Sequence, residues 1–229
     1  MAYSGADDSV NSRANELIES LRTAARPLLL VISGPSGVGK DTIIEQMRVA
    51  MPDFHYAVTA TTRPRRPGEI DGVHYHFYTP EQFARDLEAD EFFEHATVYG
   101  NLYGVPKSEV RRAIERGQDV VVKVDPQGAM TIRRLAPEAL LVFLLPPDMP
   151  ELARRLRSRK TDDPEALTRR ISIASREIAT IEFFDYFVFN ESEQIGQAVE
   201  RIQAIVTVER MRVHPREVGL DPGPQSVSP

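Results

Sequence analysis

The sequence predicts an α/β fold of three layers, a parallel sheet between two sets of helices, with a small mixed β lobe inserted into it. Three observations predict this. Short, near-continuous apolar runs alternate with stretches of helical periodicity, the pattern of a parallel sheet covered on both faces. A glycine-rich turn, GPSGVGK at 34–40, joins the first apolar run to the first of those helices. Between Tyr56 and Tyr103 the texture changes to short alternating runs, YAVTATT, VHYHF and FFEHATVYG, punctuated by PGEIDG and Gly100-Asn101.

The elements follow in order. Residues 1–26 are a polar extension in which NSRANELIESLRTAA has the spacing of an amphipathic helix. Leu28–Ser33, Asp119–Val124, Leu140–Leu145 and Tyr186–Phe189 read as buried strands. Lys40–Ala50, Gln127–Leu135, Pro150–Ser158, Glu165–Ala179 and Ile195–Arg212 read as helices. One more helix, near Pro80–Ala89, belongs to the inserted lobe. The charged stretch Arg155–Arg170, broken by Thr-Asp-Asp-Pro, is expected to be mobile. The tail from His214, rich in Pro, Gly and Ser, is expected to be disordered. The resulting divisions are a domain at 27–213, with its core at 27–55, 118–154 and 171–213, a lobe at 56–117 and a mobile segment at 155–170.

Bulk properties narrow the function. A chain of 229 residues, 41% hydrophobic and 27% charged, has the composition of a soluble globular protein. Without a cysteine it has no disulfide, thiolate metal site or Cys nucleophile. A net charge of -6 argues against a nucleic-acid coat. The polar N-terminus MAYSGADDSV and the shortness of every apolar run point to the cytoplasm and away from the membrane. Arginines nevertheless cluster at Arg63, Arg65 and Arg66 and from Arg154 to Lys160, as a small anionic substrate would require.

Gly34, Pro35, Ser36, Gly37, Val38, Gly39 and Lys40 form a phosphate-binding P-loop. Their backbone N–H groups can turn toward phosphate oxygens, the following helix N-terminus adds positive potential, and Lys40 can reach the β- and γ-phosphates. The stretch from Thr61 to Phe77, TTRPRRPGEIDGVHYHF, groups Arg and Tyr donors suited to a second phosphate. His74 and His76 lack a third partner for a metal.

Taken together, GPSGVGK, TTRPRRPGEIDGVHY, Glu94 followed by YGNLYG, DPQG and RLRSRKT, in that order, resemble guanylate kinase from about Pro27 to Arg212. The resemblance implies a P-loop NTPase fold with a GMP-binding lobe and a lid, and transfer of the γ-phosphoryl group of MgATP to GMP and dGMP. It implies that Arg63, Arg66, Tyr75 and Tyr103 hold the GMP phosphate, that Glu94 and Thr59 read the guanine, and that Asp125 also binds GMP. It assigns Lys40, Arg155 and the lid residues Arg159 and Arg170 to catalysis. The P-loop with Asp41, Thr42 and Asn190 is assigned to ATP, and Asp41 also to Mg²⁺. The protein would act as a monomer or homodimer. Two alternatives stay open: a related P-loop kinase with another phosphorylated acceptor, such as a ribose bisphosphate, and a non-catalytic guanylate-kinase-like interaction domain.

Three positions depart from the family pattern: Asp41 stands where Ser or Thr is usual, Lys123 where Asp is usual, and Val105 where a hydroxyl usually serves the base. An isolated carboxylate about 5 Å from a phosphate charge costs roughly 3 kcal/mol at an effective dielectric of about 20. The end of the strand carrying Lys123 is expected beside the P-loop. The first two departures are therefore expected to face each other as an ion pair.

Overall fold

The computed structural model describes residues 6–23, 26–98, 100–157 and 164–219. Its centre is a five-stranded sheet formed by β1 (Leu29–Ser33), β2 (His55–Tyr56), β7 (Val120–Lys123), β8 (Leu140–Leu145) and β9 (Tyr186–Phe189), in the order β2-β7-β1-β8-β9. Every pairing in it is parallel. All five residues of β1 are buried, which explains its unbroken LLVIS. Alternate residues serve opposite faces. Leu28, Leu30 and Ile32 join Val142 and Leu144 beneath α2 (Lys40–Ala50) and α8 (Ile195–Arg210). Leu29 and Val31 join Val120, Val122 and Leu141 on the other face, with α4 (Lys107–Glu115) and α5 (Pro126–Leu135).

The inserted lobe is a four-stranded mixed sheet, in the order β4-β3-β6-β5, from β3 (Ala60–Thr61), β4 (His76–Phe77), β5 (Phe92–Val98) and β6 (Asn101–Pro106). Helix α3 (Pro80–Glu88) begins with a capping box in which Thr79 and Gln82 satisfy each other's backbone N–H, and Phe83 stacks on Phe92 at 4.4 Å. Helices α6 (Met149–Arg157) and α7 (Pro164–Ile178) pack together through Leu152, Leu156 and Ala174. Helix α1 (Ala6–Thr23) carries the N-terminal extension. No described helix is long and apolar enough to cross a membrane.

The structure adds to the sequence reading and corrects it at three places. β2 is an edge strand of the core sheet that the sequence reading omitted. Helix α4 was also not foreseen, and it packs Val110 and Ala113 into the core although it lies within the expected lobe boundary at 117. Residues 214–219, expected to open a disordered tail, instead return to the core. Arg216 is buried, donates to Glu209 Oε2 at 2.7 Å from Nε, and reaches the Ala139 carbonyl from NH1. Glu209 also accepts from the Tyr186 hydroxyl at 2.8 Å. Composition hid this anchor because one paired arginine outweighs its Pro- and Gly-rich surroundings. The rest of the expected tail, 220–229, and the centre of the expected lid, 158–163 with Arg159, lie outside the described residues.

Removing one partner of a buried ion pair leaves the other charge desolvated. Arg216→Met is therefore expected to lower the urea midpoint by the equivalent of about 3 kcal/mol at constant m-value. A loss below about 0.5 kcal/mol would show that the segment contributes nothing to stability.

Candidate active site

The P-loop leaves the C-terminal end of β1, where parallel α/β sheets present their ligands. Gly34 has φ +145°, and a Cβ there would lie 2.5 Å from the Leu144 carbonyl oxygen, so only glycine lets β1 and β8 come this close. Gly39 N-caps α2 with φ +100°, and a Cβ would lie 2.6 Å from Asn190 Nδ2. That same amide donates to the Val38 carbonyl at 2.8 Å, and Arg155 NH1 reaches the same carbonyl at 3.1 Å. Arg155 further donates to Glu151 and to the Asn190 carbonyl. Asn190 Oδ1 is buried without a protein partner.

Lys40 folds over the loop, Nζ donating to the carbonyls of Gly34 at 2.5 Å and Pro35 at 3.2 Å. Burial pulls the ammonium's pKa below the usual lysine value, although Glu177, Asp125 and Asp41 all act to raise it. Glu177, on α7, accepts the Ser36 backbone N–H at 3.1 Å. Burial raises its pKa, partly opposed by that hydrogen bond and by Lys40. A carboxylate therefore rests on one of the loop's N–H donors. Arg170, Ala174 and Glu177 share one face of α7 by their i, i+4, i+7 spacing.

Asp41 lies in the first turn of α2, where a negative charge favours the helix dipole. Lys123, at the end of β7, donates to Asp41 Oδ1 at 2.5 Å, as the paired departures led us to expect. Lys123 also donates to the Tyr75 hydroxyl at 3.0 Å, a contact across to the lobe that sequence reasoning missed. Burial opposes the Lys123 charge, but Tyr75 and Asp41 outweigh it and hold the ammonium's pKa above its usual value. Thr42, on the next residue of α2, is exposed.

In the lobe, Arg63 forks onto Glu69, NH2 to Oε1 at 2.7 Å and NH1 to Oε2 at 3.1 Å, and its guanidinium sits 5.3 Å from the Tyr75 ring centroid. Glu69 also accepts the Arg66 backbone N–H at 2.7 Å, while the Arg66 side chain is exposed. Tyr75 and Tyr103 meet edge to face. Arg63, Tyr75, Tyr103 and Lys123 thus form one connected cluster.

Glu94, on β5, is 4% exposed and its Oε1 has no hydrogen-bond partner. Burial, and then the charge of Asp125, push its carboxyl up to about 8. Asp125 N-caps α5 by accepting the Gly128 N–H at 2.8 Å. A Cβ on Gly128 would lie 2.6 Å from Glu94 Oε1, so that glycine gives the carboxyl its room. Thr59 is buried on the segment between β2 and β3. Val105, which pairs with Glu94 across β5 and β6, is wholly buried in the core cluster beneath α4 and α5.

Glu177, Glu69 and Gly128 carry this geometry without having been singled out from the sequence. Only the i+7 spacing from Arg170 offered a signal for Glu177. Among the described residues no three His, Asp or Glu side chains gather as a metal cluster.

Comparisons with known proteins identify the family. Residues 26–209 match the family model described as guanylate kinase. The chain is 44% identical to the guanylate kinase of Carboxydothermus hydrogenoformans over 185 residues, 81% of this chain and 90% of the relative. It is 40% identical over 203 residues to "Guanylate kinase 2, chloroplastic/mitochondrial" of Oryza sativa subsp. japonica, covering 88% of this chain and 71% of the relative. The crystal structure of guanylate kinase from Anaplasma phagocytophilum is similar with a TM-score of 0.68 at 31% identity, covering 82% of this chain and 88% of that one.

The raised pKa of Glu94 has a consequence for stability. From the usual carboxylate range up to about 8, the folded chain keeps a proton on Glu94 that the unfolded chain has released. Stability therefore falls as pH rises through that window, by about 1.4 kcal/mol per unit. Glu94→Gln is expected to remove this slope, so its urea-unfolding free energy gains on the wild type between about pH 5 and 8. Parallel pH profiles of the two would place the Glu94 titration in the ordinary range instead.

Proposed function

The chain belongs to the guanylate kinase family, and we propose that it carries out ATP-dependent phosphorylation of GMP, and of dGMP, with the groups described above. The observation that carries this reading is Glu94, a buried carboxyl with an unpartnered oxygen, on a strand paired with the one that carries Tyr103 of the Arg63–Tyr75–Tyr103 cluster. Guanine offers N1–H and N2–H₂ as adjacent donors, which one carboxylate accepts together. Adenine has an acceptor at N1 and leaves that carboxylate unpaired, and sites built on such hydrogen bonds reject the mismatch strongly. Thr59 donates to O6, and Asp125 adjoins them as the cap that keeps Gly128 in place behind Glu94. Arg63, Arg66, Tyr75 and Tyr103 hold the acceptor phosphate.

The donor nucleotide lies along the P-loop, from Gly34 to Thr42. Lys40 leaves the Gly34 and Pro35 carbonyls for the β- and γ-phosphate oxygens, and Glu177 yields the Ser36 N–H to a phosphate oxygen. The buried Asn190 Oδ1 is an acceptor suited to the amino group of adenine. Arg155 braces the loop at Val38, and Arg170, with Arg159, brings positive charge over the transferring group. Phosphoryl transfer asks little covalent work of a protein, so positioning and charge neutralisation make up most of the catalysis.

The residues fit Mg²⁺ as the divalent metal. Asp41, with a side chain 56% exposed at the mouth of α2, offers a carboxylate. Mg²⁺ needs only one or two carboxylates when phosphates and water complete its shell. When bound, it would offset charge on the β- and γ-phosphates. Lys123 limits the repulsion between Asp41 and those phosphates. We assign the reaction to the cytoplasm and the chain to a monomer or homodimer.

A coupled assay with ATP and GMP, dGMP, AMP, UMP or no acceptor tests the reading: turnover is expected with GMP and dGMP alone. Equal rates with AMP would defeat the role of Glu94, and binding without turnover would favour an interaction domain. For the Asp41–Lys123 pair, kcat/KM is followed against magnesium concentration in Asp41→Ser, Lys123→Asp and the double variant. Coupling of about 1 kcal/mol or more is expected between the two changes, and strict additivity would rule out their joint role.

A further inference from the structure

We propose that Lys123 binds the acceptor phosphate, as a cation added to the arginine and tyrosine clamp of the lobe. The assignment rests on the GMP-acceptor reading above and on four observations. The ammonium is held at a fixed point between core and lobe, 2.5 Å from Asp41 Oδ1 and 3.0 Å from the Tyr75 hydroxyl. It stands 4.4 Å from the centroid of the Tyr75 ring, the ring that the Arg63 guanidinium approaches at 5.3 Å. An ammonium has three N–H donors, and these two hydrogen bonds leave one to give. Finally, Lys123 and Lys40 lie close enough to influence each other's charge. Lys40 belongs to the donor-phosphate loop and Lys123 contacts the acceptor clamp, so the two ammonium groups flank the space between the two phosphates.

A lysine here does what an aspartate could not. In the family pattern this position carries a negative charge, which repels an incoming phosphate; here it carries a positive one. Asp41 neutralises Lys123 within the protein. An acceptor phosphate arriving at Tyr75 meets the remaining N–H without having to displace Asp41. Charge-assisted bonds of this kind are worth roughly twice a neutral one. Because the contact is with the acceptor, it is made before any donor nucleotide arrives.

The test measures binding of GMP and of ADP separately by calorimetry, with EDTA present, in wild type, Lys123→Met and Lys123→Arg. Guanosine displacement of GMP is measured in the same variants. Lys123→Met is expected to raise the Kd for GMP about tenfold or more while guanosine changes less than about threefold, and ADP also weakens because Asp41 loses its compensating cation. Lys123→Arg keeps the charge and is expected to stay within about threefold of wild type for GMP. An unchanged Kd for GMP in Lys123→Met overturns the assignment. So does an equal loss for GMP, guanosine and ADP, or a loss in Lys123→Arg as large as in Lys123→Met, since either marks Lys123 as only a structural prop. A wild-type chain that does not phosphorylate GMP in the coupled assay overturns the acceptor reading itself, a result separable from any of these.

Discussion

At Gly34 the backbone leaves the central strand with φ +145°, pressed so closely against the Leu144 carbonyl that no side chain fits between them. The position of the site depends on that contact. It sets where the loop begins, and the loop sets where Lys40 and Asp41 enter α2. The next fixed point is Val38, whose carbonyl is gripped by both Asn190 and Arg155. Those residues come from the end of β9 and from α6, so three distant segments agree on one loop geometry. The apolar burial of β1 and β8 supplies the stiffness that keeps the agreement.

Around this scaffold, three of the groups suited to hold phosphate already have a carboxylate beside them, while Lys40 rests on backbone carbonyls. Glu177 rests on the Ser36 N–H, Glu69 on Arg63, and Asp41 on Lys123. At the Ser36 N–H and at Arg63 substrate binding is then an exchange of one anion for another, while at Lys123 the phosphate joins Asp41 on the remaining N–H. Such exchange keeps the cationic groups in place, because their directions are already set by protein partners. It also trims the net gain from each phosphate contact, since a good hydrogen bond is given up for a better one.

Much of this was legible in the sequence, and the reasons differ by residue. LLVIS and LLVFLL announced buried parallel strands because both faces of each are covered. The P-loop was legible because its glycines answer local demands of the backbone. Asp41 and Lys123 were legible as a pair because both broke the family pattern, in opposite signs. Helix α4 was not, since KSEVRRAIE shows few apolar positions and follows a proline. Glu177 was not either, because its partner Ser36 lies 141 residues away in the chain, and no local pattern encodes such a contact. The same holds for Lys123 with Tyr75, and for Arg216 with Glu209, where the surrounding composition argued the other way.

The crowding of Glu94 against Gly128 and Asp125 reaches beyond base choice. On the proposed reading guanine needs the carboxylate, whereas near neutral pH the buried group holds its proton. Recognition of the base then expels a proton into the medium. The measured heat of association therefore includes the ionisation enthalpy of whichever buffer takes that proton up. An acidifying solution draws the equilibrium back toward free acceptor, so the chain's grip on its substrate follows the acidity of its surroundings.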